Sequence, residues 1–228
     1  MPEFKSRLPL PDGHVAMVPS ILSADMSCLG KDVDAVSKAD WLQVDVMDGH
    51  FVPNISYGPG LVKALRGMTK LPLDAHLMID NPADFILPFA KAGADLITFH
   101  LEASENPEKI IRQIKALGLS AGLAIKPQTP VSAAEPFVKH LDLFLVMTVN
   151  PGFGGQAFMA ECLGKVAQAR ELISRSGRQI WLQVDGGIGP DTAPAAALAG
   201  ADSLVAGNAV FGNKNPSQAV QKMRELCA

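Results

Sequence analysis

The 228-residue chain is 48% hydrophobic and 19% charged, with 20 Lys and Arg against 23 Asp and Glu for a formal net charge of -3. That balance excludes a disordered or strongly basic protein, so nucleic acid is not an expected partner. No apolar run reaches the roughly 18 residues of a membrane-spanning helix, and the opening 16 residues lack the apolar core of a secretory signal, which predicts a cytoplasmic protein with no membrane partner.

Residues 1–15, with Pro2, Pro9, Pro11 and Gly13, predict a loose arm, and residues 16–228 predict one catalytic domain. From there, short apolar runs rich in β-branched residues alternate with segments of helical period, the signature of βαβ units and a parallel sheet. Strands are predicted at 17–22, 41–46, 73–77, 96–100, 121–125, 143–148, 180–184 and 203–206, with helix-like segments between them. Eight strands predict an α/β fold of the (β/α)8 TIM-barrel type, in a single domain, over an open doubly wound sheet. Ala-Gly-Ala-Asp occurs at 92–95 and again at 199–202, each time before a strand, and Ala39-Asp40 and Leu141-Asp142 hold the same place. These are read as αβ loops with a structural role, the Gly ending a helix and small residues letting the chain turn. The three cysteines, Cys28, Cys162 and Cys227, are widely separated and suggest neither a disulfide framework nor a metal site.

In either architecture the chemistry belongs at the carboxyl ends of the strands. Side-chain alternation puts Gln43 and Asp45 on one face of strand two, Asp74 and His76 on one face of strand three, and Asp185 at the end of strand seven. If these ends converge, Asp45, His76 and Asp185 form a carboxylate and imidazole cluster suited to one divalent metal, and two carboxylates from opposite walls could also flank a small substrate. Taken singly, an Asp at a strand end is more often a turn or cap residue and a His on a strand more often hydrogen-bonded structure; Asp74 and Asp48 are read in that way.

Three glycine clusters follow strands six, seven and eight: Asn150-Pro151-Gly152-Phe153-Gly154-Gly155, Gly186-Gly187, and Gly207-Asn208. Backbone N–H groups left uncovered by glycine hold anions, and barrel enzymes commonly bind phosphate with the loops after strands seven and eight. The loop from Gly152 to Gly155 has the composition of a lid that closes over substrate.

The motifs PSILSAD at 19–25, VDVMDGHFVPN at 44–54, LDAHLM at 73–78, VMTVNPGFGGQ at 146–156 and VDGGIGPDT at 184–192 resemble those of ribulose-phosphate 3-epimerases, in order and spacing, over nearly the whole chain after the arm. The resemblance implies an isomerase of carbohydrate metabolism, in the pentose phosphate pathway, whose partner is a small phosphorylated ketose. It would interconvert D-ribulose 5-phosphate and D-xylulose 5-phosphate by proton transfer at carbon 3 through a metal-stabilised enediolate, with Asp45 and Asp185 as the acid/base pair. Ser20, His76, Gly152, Phe153, Gly154, Gly155, Asp185, Gly186, Gly187, Gly207 and Asn208 would contact substrate or its phosphate. Met47, Met78 and Met147 match methionines that line the family's pocket, although isolated methionines are ordinary core fillers. One divalent ion per subunit (Zn, Fe, Mn or Mg) would sit on Asp45, His76, Asp185 and the residue at position 43. Base rates for soluble enzymes add the expectation of a homo-oligomer.

The chain departs from that pattern in three places. Gln43 stands where the family has a histidine ligand; its harder, neutral amide oxygen predicts weaker binding of zinc or ferrous iron and a shift toward manganese or magnesium. The stretch Ser37-Lys38-Ala39-Asp40 lacks the usual glycine and is shortened, which predicts altered packing under the barrel. Asn208 replaces a small hydroxyl residue at one phosphate contact. The alternatives are a 3-epimerase of a hexulose 6-phosphate such as allulose 6-phosphate, or a phosphosugar-binding homologue impaired by Gln43. A barrel decarboxylase or aldol-type synthase would show a catalytic Asp and Lys pair, but although Lys126 closes strand five, no Asp-x-Lys stands at a strand end.

Overall fold

A computed structural model of the chain describes residues 8–227. Eight parallel strands run in the order β1 (Ala16–Pro19), β8 (Ser203–Ala206), β7 (Trp181–Asp185), β6 (Leu143–Met147), β5 (Ser120–Ile125), β4 (Leu96–His100), β3 (Leu73–Met78), β2 (Leu42–Met47). A Ser20–Gln43 bridge joins the two ends of that series and closes the barrel. Around it lie α1 (Leu29–Ala35), α2 (Pro59–Met68), α3 (Pro82–Ala92), α4 (Pro107–Ala116), α5 (Leu163–Ser176), α6 (Ala193–Leu198), the short α7 (Asn208–Phe211) and α8 (Pro216–Leu226). The fold is the single-domain (β/α)8 barrel expected from the alternation. Among the described residues no helix is long and apolar enough to cross a membrane.

Two elements differ from the sequence reading. β1 stops at Pro19, because Ser20 caps a 3₁₀ turn over Ile21–Ser23, its Oγ accepting the Leu22 N–H at 3.2 Å. This local bond wins over the apolar pattern that would have carried the strand to residue 22. Between β5 and β6 there is no α-helix, only 3₁₀ turns at Val131–Ala134 and Val138–His140. Pro136 falls between them, and a proline there removes an N–H donor and crowds the preceding turn.

Alternate strand residues face the helices or the barrel axis. Val44, Leu77, Phe99, Leu123, Val146, Val184 and Leu204 are fully buried in the layer between strands and helices. The axis is closed at the amino-terminal end by Trp41, Leu96, Leu143 and Trp181, with the two indoles packed edge to face at 5.2 Å. Leu8 packs into this floor, its N–H donates to Ser120 Oγ at 3.0 Å, and Trp181 Nε1 donates to the Pro9 carbonyl at 2.7 Å. The described part of the expected arm is therefore not loose; residues 1–7 lie outside the described residues. The floor draws it in because Leu8 and the Trp181 indole each find there what solvent offers less favourably, an apolar wall and a dry acceptor.

The Asp of each αβ loop noted in the sequence repeats one device. Asp40, Asp95, Asp142 and Asp202 each accept the N–H of a residue opening an odd-numbered strand: Met17, Leu73, Ala121 and Leu182, at 2.6–2.9 Å. Each also pairs with a helix cation at 2.6–3.0 Å: Arg66, Lys115 and Arg170 come from the helix preceding that strand, and Arg224 from α8, which packs beside β1 at the other end of the chain. The glycines of the Ala-Gly-Ala-Asp repeats make room for the arginines. A β-carbon at Gly93 or Gly200, both at positive φ, would lie 2.8 Å from the Arg66 or Arg170 side chain. The loop before β2 delivers Asp40 to the same place as the other three.

Replacing Asp95 by Ala removes the acceptor of the Leu73 N–H and of Arg66 Nη1, and urea unfolding is expected to show a loss of about 2–4 kcal/mol. Arg112→Ala, which removes only the exposed Glu108–Arg112 pair on α4, is expected to change stability by less than about 0.5 kcal/mol. Equal losses for the two variants would remove the special role given to the loop aspartates.

Candidate active site

At the carboxyl end of the barrel a cavity of about 240 Å³ opens between the βα loops. Its floor is Asp45 and Asp185, and Met47, Met78 and Met147 supply apolar walls. Ser20, the loop residues Gly152, Phe153, Gly154 and Gly155, and Gly186, Gly187, Gly207 and Asn208 are also in the lining. His76 and Gln43 stand beneath this floor, both with no solvent exposure.

Asp45, His76 and Asp185 bring their ligand atoms within 4.8 Å of one another. His76 Nδ1 lies 2.9 Å from Asp45 Oδ1 and 3.5 Å from Asp185 Oδ2. Ser20 Oγ donates to Asp45 Oδ2 at 2.5 Å. Gln43 Nε2 donates to Asp45 Oδ1 at 2.8 Å and to Asp185 Oδ2 at 2.7 Å, while its Oε1 is buried without a partner. Two carboxylates and an imidazole are an apt donor set for a divalent ion, and the unpartnered amide oxygen of Gln43 offers a fourth donor, so these residues fit the metal that the resemblance implies.

The two carboxylates are driven apart electrically. Burial alone would raise Asp45, but hydrogen bonds from His76, Ser20 and Gln43 and the charge of His76 hold it below the usual carboxylate range. Asp185 is pushed up, first by burial and then by the neighbouring Asp45 charge. Against its own burial, His76 is held up to about 10 by the two carboxylates. The two carboxyl groups are thus shifted in opposite directions by their surroundings.

Behind His76 lies a group the sequence reading missed. His76 Nε2 is 2.9 Å from His100 Nε2, and the rings stack at 5.1 Å. Burial lowers His100 to about 4, so it stays neutral and can accept from His76 Nε2–H. Glu102 Oε2 approaches His100 Nδ1 only to 3.4 Å, too far for a sound hydrogen bond, and that nitrogen has no partner. Glu102 is anchored by the Lys126 N–H at 2.8 Å and by the Thr129 hydroxyl. The available signal was the alternation of Thr98 and His100 along strand four, which puts both on the inner face.

Asp48 behaves as the turn residue it was read to be, its Oδ1 accepting from the His50 and Phe51 N–H groups. Asp74 does not. It is fully buried on the barrel axis, where Thr98 Oγ1 donates to its Oδ1 at 2.9 Å and its Oδ2 has no partner. Thr98 fits only because its neighbour Gly122 lacks a side chain; a β-carbon there would stand 2.3 Å from Thr98 Oγ1.

The loops are also tied together. Asn54 Nδ2 donates to the Gly152 carbonyl at 2.9 Å, and Gln156 Nε2 to the carbonyls of Asn150 and Phe153 at 2.7 and 2.8 Å. Phe153 is 55% exposed at the rim. Gly186 and Gly187 have φ of 122° and 67°, and a β-carbon on Gly187 would meet the Phe158 backbone nitrogen at 2.3 Å.

A (β/α)8 barrel with an Asp-His-Asp centre under a glycine-rimmed cavity has the form of a barrel enzyme's pocket for a small molecule. Comparison with known proteins sharpens this. The ribulose-phosphate 3 epimerase family matches residues 16–211. Curated relatives called ribulose-phosphate 3-epimerase include that of Mycobacterium bovis, 47% identical over 93% of each chain. That of Bacillus subtilis is 46% identical over 92% of this chain and 98% of its own. Among solved structures, 3-hexulose-6-phosphate synthase from Salmonella typhimurium superposes with a TM-score of 0.71 over 93% of this chain and 98% of its own, at 17% identity, a likeness of fold alone. The chain belongs to the ribulose-phosphate 3-epimerase family, whose members are isomerases of carbohydrates that use a divalent metal.

Burial raises Asp74 to about 7 from 3.8. Because the folded-state value is the higher one, the stability linked to this proton is fully present below about pH 4 and is lost as pH rises through 7. Relative to Asp74→Asn, the natural chain in chelator is expected to lose about 2–4 kcal/mol between pH 4 and pH 9 in urea titrations. Parallel pH profiles for the two proteins would show that Asp74 does not bury a proton.

Proposed function

We propose that the enzyme interconverts D-ribulose 5-phosphate and D-xylulose 5-phosphate by passing a proton at carbon 3 between Asp45 and Asp185. The observation that carries this reading is the pair of carboxyl groups sharing one cavity floor, one pushed toward its charged form and the other toward its neutral form. A proton next to a ketone is weakly acidic, and its removal leaves an enediolate. One Asp takes that proton from one face, the other delivers a proton to the opposite face, and the reverse reaction exchanges their roles. Inversion follows from having an acid on each side.

Asp45, His76 and Asp185 would hold a divalent ion, with Gln43 as a further oxygen donor, and when bound it supplies positive charge that favours negative charge on the substrate oxygens. The oxygen-rich donor set favours manganese or magnesium over zinc or ferrous iron. Ser20, by its hydrogen bond to Asp45 Oδ2, keeps that carboxylate turned to the cavity. Met47, Met78 and Met147 offer a polarisable apolar wall that limits water near the reacting carbons. The substrate phosphate is assigned to the loops after β7 and β8, where Gly186, Gly187, Gly207 and Asn208 leave backbone N–H groups approachable. Gly152, Phe153, Gly154 and Gly155 form the lid over it. The curated relatives' shared name supports the five-carbon substrate.

Asp45→Asn and Asp185→Asn are each expected to lower kcat on ribulose 5-phosphate by about 10²–10⁴-fold with unchanged far-ultraviolet circular dichroism. In deuterated water the natural enzyme should place solvent deuterium at carbon 3. A variant that keeps a tenth or more of the natural rate would end the two-acid reading.

A further inference from the structure

The amide of Gln43 places its nitrogen at the fourth corner of the group whose other three corners are the candidate ligand atoms of Asp45, His76 and Asp185. Its Nε2 lies 2.8 Å from Asp45 Oδ1, 2.7 Å from Asp185 Oδ2 and 3.4 Å from His76 Nδ1. It is therefore placed among the three atoms that form the candidate metal site. A primary amide carries two N–H donors on one nitrogen, and here each is spent on a different carboxylate. A neutral imidazole at this position could not do the same, because it offers one N–H in all. The other end of the amide is the anomaly: Oε1 is buried without any partner, which is costly for an acceptor of that strength.

Turning the amide by half a revolution about its last side-chain bond exchanges oxygen and nitrogen and moves nothing else. With no ion between the carboxylates, the turned amide would aim an oxygen at two anions, so the nitrogen-in position is the stable one. With a divalent ion there, the nitrogen-in position would aim N–H groups at a cation, and the oxygen-in position becomes the stable one. Each orientation suits one condition of the site and is repelled in the other.

We propose that Gln43 is a two-position partner of this centre: its nitrogen bridges Asp45 and Asp185 when no ion is bound, and its oxygen turns in as a ligand when one is. This rests on the metal reading given under Proposed function. Two consequences follow. The ion must displace two charge-assisted hydrogen bonds, so binding is weaker than a histidine at position 43 would give, by roughly 10- to 1,000-fold. In the absence of ion, the two carboxylates are held together instead of repelling each other, so the unloaded protein keeps its site in shape.

The test uses the full chain and the variants Gln43→His and Gln43→Met, the latter keeping the side chain's length while removing both amide atoms. Affinity for Mn2+ and for Zn2+ is measured by competition with a chromophoric chelator, and the thermal midpoint is measured in excess EDTA. The expected pattern is opposed movement in Gln43→His, with Zn2+ bound at least tenfold more tightly but the EDTA midpoint lowered. Gln43→Met should lose on both counts. In 15N-correlated spectra, the side-chain NH2 pair that vanishes in Gln43→His should move on addition of Zn2+ to the natural chain. The proposal is overturned if Gln43→His gains less than threefold in Zn2+ affinity, if either variant is as stable as the natural chain in EDTA, or if the NH2 pair does not move when the ion binds. Turnover of ribulose 5-phosphate is read separately: a natural chain that follows the binding pattern but does not turn over overturns the proposed reaction and leaves the role of Gln43 standing.

Discussion

Carboxyl groups stand on the axis of a nearly dry barrel, and the interior is arranged around their desolvation. Asp45 and Asp74 are buried, and Asp185 is only 17% exposed. An ionised carboxylate removed from water is unfavourable unless it is paired, hydrogen-bonded or protonated. The three use different remedies. Asp45 gathers donors from His76, Ser20 and Gln43; Asp185 shares Gln43 and His76; Asp74 has one hydroxyl and is pushed toward its neutral form. The barrel seam itself is involved, since the bridge that closes it joins Ser20 to Gln43, the two residues that bracket Asp45.

The same logic orders the region behind the centre. His76 offers Nδ1 to the carboxylates, so its other nitrogen needs an acceptor, and neutral His100 provides it. His100 stays neutral because it is fully buried and shares its wall with the rings of His76 and Phe51. A histidine whose second nitrogen is engaged is fixed in orientation, so Nδ1 stays aimed at the carboxylates and is the nitrogen an ion would take once its proton leaves.

Much of this was legible because it is local. A period of two along β2 and β3 put Gln43 with Asp45 and Asp74 with His76 before any contact was known, and glycines after β6, β7 and β8 announced the rim of the cavity. What escaped depended on contacts between distant residues. His100 sits in a run, Leu96 to His100, that reads as plain buried strand, and its importance appears only when β3 and β4 are set in register. Asp74 looked like a turn residue because a lone Asp gives no sign of depth. The clamp partners of Asp95 and Asp202, Arg66 and Arg170, lie about thirty residues upstream, although the repeated Ala-Gly-Ala-Asp marked where they would land. The orientation of the Gln43 amide is a property of three strands together and has no trace in one.

The loop aspartates divide the barrel into quarters. Each joint takes a helix, the odd strand after it and the loop entering the next even strand, and locks them through one carboxylate, so α2, β3 and the entry to β4 form one such piece and α5, β7 and the entry to β8 another. Arg224 on α8 makes the same joint with Asp40 and Met17, so two segments remote along the chain are fastened by the fitting used between neighbours. In mechanical terms the ring is a four-stave cask, each stave fastened at its base by one carboxylate. Four equal fastenings at the base leave the rim free to carry the unequal loops that chemistry needs.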